Sequence, residues 1–476
     1  MASKTVLAVD LGAESGRVMA VQFDGKSLEL REIARFPNRP VKLRNVLHWN
    51  MLDLWQNITA GIEAGKQYQP ASIGVDTWGV DFCLLDSQDN LIGLPVHHRD
   101  LRTDGMMDRV FTKVPRGEVF AQTGIQFMPI NTLYQLTSMV ECKSPQLKIA
   151  ETFLTIPDLL NFWLSGAKVS EYSNATTTQM FNTGTGQWAR DLLERLGIPV
   201  KMLPEVVQPG TRLGVYDDIP VIAPACHDTG SAVAAVPAVS ESFAYISSGT
   251  WSLAGIEVAT PMINEAALEA NVTNEGGVFG TIRLLKNVMG LWIIQQCRAT
   301  WQAMGIEFSY PELVQLAEAA LPLRSLINVN HGDFLPHGDH PAHIKAFCEK
   351  SGQPVPRSPG EIVRTVFESL ALAYRDVFEK LEAVSGRSID VIHIIGGGSE
   401  NSLLNQMTAD ATGKPVLAGP VEATVIGNAL MQFIALGELS NLQEARKLVG
   451  QMKSVKRYEP NHSAEWEAAF DRYKQL

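Results

Sequence analysis

The chain opens on a β-branched apolar run, TVLAVD at 5–10, that ends in a glycine turn. A second run, RVMAVQF at 17–23, follows at hairpin distance, with a turn signal at Asp24-Gly25. This pattern predicts a hairpin folded around Gly12. SIGVD at 72–76 and VDFCLLD at 80–86 predict another such pair, with Thr77-Trp78-Gly79 at its tip. VIAPA at 221–225 reads as an apolar strand, after which HDTGSAVAAV switches to the small-residue pattern of a helix, placing Asp228 near that helix's N-terminus. LLKNVMGLW at 284–292 carries helical apolar spacing interrupted by Asn287. Residues 390–395 predict a buried strand, followed by Gly396, Gly397 and Gly398, an amphipathic helix from about Asn401 and a stop at Gly413-Lys414-Pro415.

FAYISSGTWSLAGIEV at 243–258 reruns the plan of the first hairpin: strand, polar glycine turn, strand. Setting Gly249 over Gly12 places Ser247 over Asp10 and Thr250 over Ala13. Such a repeat points to two halves of similar architecture joined by a linker near 237–241, although hairpins resemble one another and the repeat alone leaves duplication open. Length supports the division, since 476 residues exceed one ordinary core. The expected domains are 1–239 and 240–476.

Composition narrows the function classes. A chain 45% hydrophobic and 19% charged is globular. Its 51 acidic against 40 basic residues give a net charge of −11 and no basic stripe for a nucleic acid. No apolar run approaches a membrane span, and the start runs straight into a strand, so neither export nor a membrane is expected. Cys83, Cys142, Cys226, Cys297 and Cys348 are scattered and never spaced CxxC, which fits reduced thiols in a cytoplasmic protein.

Phosphoryl transfer needs backbone amides and a metal around the phosphates and a carboxylate to receive the acceptor's proton. DLGAESGR at 10–17 offers turn amides, hydroxyl and guanidinium donors, and one acid at a strand end able to hold Mg²⁺ through water. SSGTWS at 247–252 is the matching loop, and GGGSEN at 396–401 lets a nucleotide approach backbone without side-chain obstruction. There is neither GxxxxGK[ST] nor a GxGxxG after the first strand, so hairpin loops must hold the phosphates. Asp76 and Asp228 are both candidates for the base. An Asp beginning a helix is commonly only a cap, but His227, Asp228 and Thr229 form a polar cluster between strand and helix, and the helix dipole favours an ionised carboxylate there. His227 reads as a substrate hydrogen-bond donor or a second base. Trp78 and Gly79 pair an aromatic wall with room for a ligand.

DLGAESGR, GVDTWGVDF, ACHDTGSA, ISSGTWSL and IIGGGSENSLLNQMTADATGKPV, in this order over nearly the whole chain, resemble the FGGY carbohydrate kinases. The resemblance implies an α/β actin/hexokinase-like ATPase fold, two duplicated domains with an interdomain cleft, and use of ATP with Mg²⁺. Residue by residue it implies phosphate contacts from Ala13, Glu14, Ser15, Gly16 and Arg17, and sugar contacts from Trp78, Gly79, His227, Asp228, Thr229 and Asn287. It further makes Asp228 the base, gives Thr250 to the phosphates, Gln295 to the nucleotide, Gly396, Gly397 and Gly398 to the adenosine end, and Asp10 to magnesium-bound water. Glu14 departs from the family's small polar residue and is expected to point away from the γ-phosphate. Within the family, GLPVHHRDLRT, GIQFMPINTLYQL, EYSNATTTQMFN, NVTNEGG and LLKNVMGLW resemble members that phosphorylate the 1-hydroxyl of L-rhamnulose in L-rhamnose degradation. The alternatives are kinases of L-fuculose, L-xylulose or glycerol, a non-kinase actin-type ATPase, or a sugar-binding regulator. For a 6-deoxy sugar, Trp78, Phe82 and Phe127 are the candidate apolar wall. The expected state is a monomer or weak homo-oligomer.

Overall fold

The computed structural model describes residues 3–452, 455–461 and 463–476. The chain forms two compact units. One comprises Met1–Val239, Glu257–Leu284 and Ala423–Met452; the other comprises Ser240–Ile256, Leu285–Glu422 and Lys453–Leu476.

The first unit is built on a six-stranded sheet. Strand β1 (Lys4–Leu11) pairs antiparallel with β2 (Ser15–Phe23), which pairs antiparallel with β3 (Leu28–Pro37), so the predicted hairpin around Gly12 forms. Strand β4 (Ile73–Thr77) lies parallel to β1 on its other side, with Asp76 opposite Asp10. The expected hairpin at Thr77–Gly79 does not form: β5 (Phe82–Leu85) leaves this sheet and pairs with β6 (Thr152–Thr155). A parallel β4 buried on both faces is satisfied by β1 and needs no return strand, and the turn after Gly79 sends the chain elsewhere. β7 (Arg212–Tyr216) and β8 (Ile219–Ile222) complete the order β7-β8-β4-β1-β2-β3. Helix α1 (Met51–Gly65) turns Leu54, Ile58 and Ile62 into the core under β1 and β2. Helix α2 (Asp228–Ala234) follows β8 as predicted.

The second sheet repeats the plan. β9 (Phe243–Ser248) and β10 (Trp251–Val258) form the second hairpin, and β13 (Val391–Ile395) lies parallel to β9 as β4 lies to β1. Each turn is closed from its glycine, though over different spans: Gly12 N–H donates to Ser15 O and Gly249 N–H to Trp251 O, both at 2.9 Å. Between β10 and β13 in the chain come β11 (Thr273–Gly276), β12 (Ile282–Met289), helix α3 (Trp292–Ala303) and helix α4 (Pro359–Ser385). LLKNVMGLW is thus mostly strand, contrary to its helical spacing; Leu284, Leu285, Val288 and Met289 are all buried, and a strand covered on both faces needs no alternation. After β13, helix α5 (Ser402–Thr412) starts at an Asn401 cap and ends at left-handed Gly413, where the sequence places both. β14 (Val416–Ala418) and β15 (Lys456–Tyr458) give the order β11-β12-β10-β9-β13-β14-β15.

Helix α6 (Ala423–Ala435) belongs to the first unit, where it packs on β1, β4 and α2. Gly427 makes that approach: a Cβ there would lie 1.7 Å from the carbonyl oxygen of Ser231 in α2.

Candidate functional site

Two parallel strands of the first unit carry carboxylates one residue before their ends: Asp10 on β1 and, beside it, Asp76 on β4. Asp10 Oδ2 accepts from Arg17 Nε at 2.9 Å and Nη2 at 2.7 Å, so the guanidinium assigned to phosphate is already engaged at its own hairpin. Asp76 is fully buried, and burial together with the Asp10 charge pushes it well above the usual carboxyl range, against the Asn428 Nδ2 donor at 2.6 Å.

Around the turn, Glu14 is exposed, whereas Gly16 is a packing residue: a Cβ would meet the Phe36 ring at 2.4 Å. Ala13 and Ser15 lie half-buried beside Gly12, whose own Cβ position is open apart from one ordinary contact.

His227 caps α2, and Asp228 is its first residue. Asp228 Oδ1 accepts from Thr229 N–H at 2.5 Å and Thr229 Oγ1 at 3.2 Å. Among the described residues Oδ2 accepts no hydrogen bond, and the side chain stays 29% exposed. Desolvation raises the pKa of this carboxyl, with Asp10 adding to the rise and His227 opposing it. A carboxylate held by one oxygen and open at the other can accept a proton from a ligand hydroxyl.

The loop before α2 is fixed by residues that spacing alone does not single out. Thr77 N–H donates to Cys226 O at 2.9 Å, tying the end of β4 to this loop. Glu171 Oε2 accepts from Cys226 N–H at 2.9 Å and Ser173 Oγ accepts from His227 N–H at 3.0 Å. Glu171 also caps its own short helix, Tyr172–Ala175. Burial raises this carboxyl to about 7, and Asp158 adds to the rise. The visible signal is EYSNATTTQ, a polar run buried along its length. A polar run is buried only when its groups are paired with one another.

A second network holds Trp78 and Gly79. Asp81 Oδ2 accepts from the indole N–H groups of Trp49 at 2.7 Å and Trp78 at 3.0 Å and from His98 Nδ1 at 2.8 Å, while Oδ1 accepts from Gln135 Nε2 at 3.2 Å. Burial alone would raise Asp81, but the His98 and His97 rings and these donors hold it below the usual range. Between Gly79 and Asp81, Val80 adopts φ 67°, closed by Asp81 N–H donating to Gly79 O at 2.9 Å. A β-branched residue in that region is strained and persists only where its surroundings fix it. Val80 N–H donates to Thr177 Oγ1 at 3.1 Å and its carbonyl accepts from Thr132 Oγ1 at 2.6 Å. The three candidate aromatics each pack on another ring: Trp78 on Trp49 at 4.0 Å, Phe82 on Phe153 at 5.3 Å, and Phe127 on Phe111 at 5.4 Å.

The second unit holds the remaining candidates. The hairpin turn receives α3: Leu291 N–H donates to Gly249 O at 3.0 Å and Trp292 N–H to Thr250 O at 3.1 Å. Gln295 Nε2 donates to Thr250 Oγ1 at 3.3 Å, while Gln295 Oε1 is buried with no donor among the described residues. That orphaned acceptor fits a donor supplied by a ligand. Gly396 has φ 83°, and a Cβ at Gly398 would lie 2.0 Å from Ser248 Oγ, whereas nothing stands within 4 Å of the Cβ position of Gly397. The triple glycine therefore packs on β9 at one residue and leaves backbone uncovered at the next, as a nucleotide requires. Asn287 lies half-buried on β12. Among the described residues no three His, Cys, Asp or Glu side chains are grouped to hold a metal. No helix of the described residues is long and apolar enough to cross a membrane, and the five cysteines are free.

Residues 5–225 match the N-terminal domain of the FGGY family of carbohydrate kinases, and residues 244–436 match that family's C-terminal domain. The chain is similar to a rhamnulokinase of Bacteroides thetaiotaomicron, 44% identical over 98% of both chains. It is 43% identical to one of Pectobacterium atrosepticum, covering 100% of this chain and 97% of that protein. The fold is shared with a solved xylulose kinase of Lactobacillus acidophilus (TM-score 0.82, 18% identity, 99% and 97% of the two chains). It is also shared with a glycerol kinase of Plasmodium falciparum (TM-score 0.78, 15% identity, 99% and 98% covered).

Proposed function

The chain belongs to the FGGY family of carbohydrate kinases, and from that premise we propose that it transfers the γ-phosphoryl group of ATP to the 1-hydroxyl of L-rhamnulose, giving L-rhamnulose 1-phosphate. The observation that carries the reaction is Asp228, tethered through Oδ1 to Thr229 and open at Oδ2. The choice of sugar is supported by relatives named rhamnulokinase that match along nearly the whole chain.

In this reading Asp228 Oδ2 receives the proton of the attacking hydroxyl. Because proton transfer comes late in a loose transition state, a weak carboxylate base suffices. His227, Thr229, Trp78 and Gly79 orient the ketose, and Asn287 contributes a further sugar contact. Ala13, Glu14, Ser15, Gly16, Arg17 and Thr250 belong to the loops that hold the phosphates; Gln295 and Gly396, Gly397 and Gly398 receive the nucleoside. Asp10 would hold Mg²⁺ through water. Bound Mg²⁺ would neutralise charge on the β- and γ-phosphates. The free thiols support action in the cytoplasm, where ATP is available.

The test is ADP release from ATP and Mg²⁺ across L-rhamnulose, L-fuculose, L-xylulose and glycerol. L-rhamnulose is expected to give the highest kcat/KM. A preference for L-fuculose would overturn the sugar assignment, and no sugar-dependent ADP release would overturn the kinase.

A further inference from the structure

We infer that Arg283 is a positioning residue that fixes His227 as its neutral Nε2–H tautomer, so that His227 serves the acceptor site only as a hydrogen-bond donor and leaves proton acceptance to Asp228. This rests on the kinase reading of the site for its catalytic consequence, but not for the tautomer itself.

Arg283 lies on β12 and its side chain is fully buried. Its Nε donates to Gly276 O at 2.9 Å, which fixes the plane of the guanidinium, and its Nη2 stands 3.1 Å from His227 Nδ1 in hydrogen-bonding geometry. A guanidinium carries only N–H groups and does not lose a proton in proteins. The ring nitrogen that faces it must therefore present a lone pair. Protonated Nδ1, in the other tautomer or in imidazolium, would bring two N–H groups together at buried side chains.

Glu275 supplies the counter-charge. Its Oε2 lies 3.3 Å from Arg283 Nη2 and equally 3.3 Å from His227 Nδ1. Without the arginine that carboxylate would draw a proton onto Nδ1, bare Nε2, and turn His227 into a base. With Arg283 in place a donor stands closer to Nδ1, at 3.1 Å, than the carboxylate does, and the guanidinium neutralises the carboxylate's charge. The ring proton then lies on Nε2, which points to the Asp228 side of the cluster at 3.5 Å from Oδ1. That distance is too long to consume the donor, so the N–H remains for a ligand oxygen. An Nε2 carrying hydrogen has no lone pair with which to take the acceptor's proton. NVTNEGG and the strand after it thus acquire a role: they hold the tautomer.

Two-bond ¹H–¹⁵N spectra of the full-length protein labelled with ¹⁵N-histidine read the tautomer directly, with His227 identified by the signal lost in His227→Ala. The expected spectrum shows a bare Nδ1 and a protonated Nε2. A protonated Nδ1 overturns the inference. In Arg283→Met/Glu275→Met, which leaves no buried charge unpaired, the two tautomers should mix. There kcat/KM for the ketose should fall about two- to tenfold, as expected for weakening a hydrogen bond between neutral groups, with KM for ATP unchanged. Arg283→Lys, which keeps a donor, should recover part of the loss. A double variant that keeps the wild-type His227 spectrum would equally overturn it. Should the wild type phosphorylate no ketose, the kinase reading falls, and the wild-type spectrum still decides the tautomer.

Discussion

Replacing Gly427 by alanine tests whether the position of the base is set by helix packing. The added Cβ would stand 1.7 Å from Ser231 O and 2.6 Å from the carbonyl carbon, against an ordinary carbon–oxygen contact of roughly 3.3 Å. The obstacle is backbone inside α2, so no side chain can swing aside, and α2 and α6 must separate by roughly 1.5 Å. Overpacking of this kind costs about 1–3 kcal/mol, which lowers Tm by several degrees, at about 2–4 °C per kcal/mol for a large domain. Asp228 precedes Ser231 by less than one turn of the same helix, so the carboxylate moves with it. A displacement near 1 Å of a reacting group costs on the order of 10²-fold in rate. Thermal unfolding and steady-state kinetics on purified Gly427→Ala should show both losses. A lowered Tm with wild-type kcat would refute the coupling of α2 position to catalysis, and no change in either would refute the close crossing.

Glu171 makes stability depend on pH. Its folded pKa of about 7 lies above the ordinary glutamate value of 4.5, so its contribution is fully present below the unfolded pKa and is lost as pH rises through 7, at most about 3 kcal/mol. Tm should fall from pH 5 to pH 8, and Glu171→Gln should flatten that slope; an unchanged slope in the variant would show that another group carries it. Gly398→Ala places a Cβ 2.0 Å from Ser248 Oγ and 2.6 Å from Ser248 Cβ, which should raise KM for ATP at least tenfold while KM for the ketose holds, with Ser248→Gly partly restoring it. Equal damage to both substrates would instead mean a general loss of fold.

Much of the fold was legible where local chemistry decides it. The two glycine hairpins, the switch from strand to helix at Asp228, and the Asn401 and Gly413 ends of α5 follow from turn residues and caps that act over a few residues. The hairpin expected at Thr77–Gly79 failed because β4 finds its partner in β1, far away in sequence, and local spacing is blind to a parallel pairing. LLKNVMGLW was misread as helical for a related reason: burial on both faces removes the alternation that marks a strand. The carboxylate proposed as the base and the glycine loops were visible as residue types in turns. Glu171, Asp81 and Arg283 were not, because a residue that acts by holding another shows itself only through partners brought together in space: Cys226, Trp78 and His227.

The account stands most directly on Asp228. Single-turnover phosphoryl transfer from ATP to L-rhamnulose by Asp228→Asn, alongside calorimetric ATP binding, separates base chemistry from nucleotide affinity. Removal of a general base predicts a transfer rate reduced about 10²- to 10⁴-fold with ATP affinity nearly unchanged. Transfer at the wild-type rate would contradict the assignment of the acceptor's proton to this carboxylate.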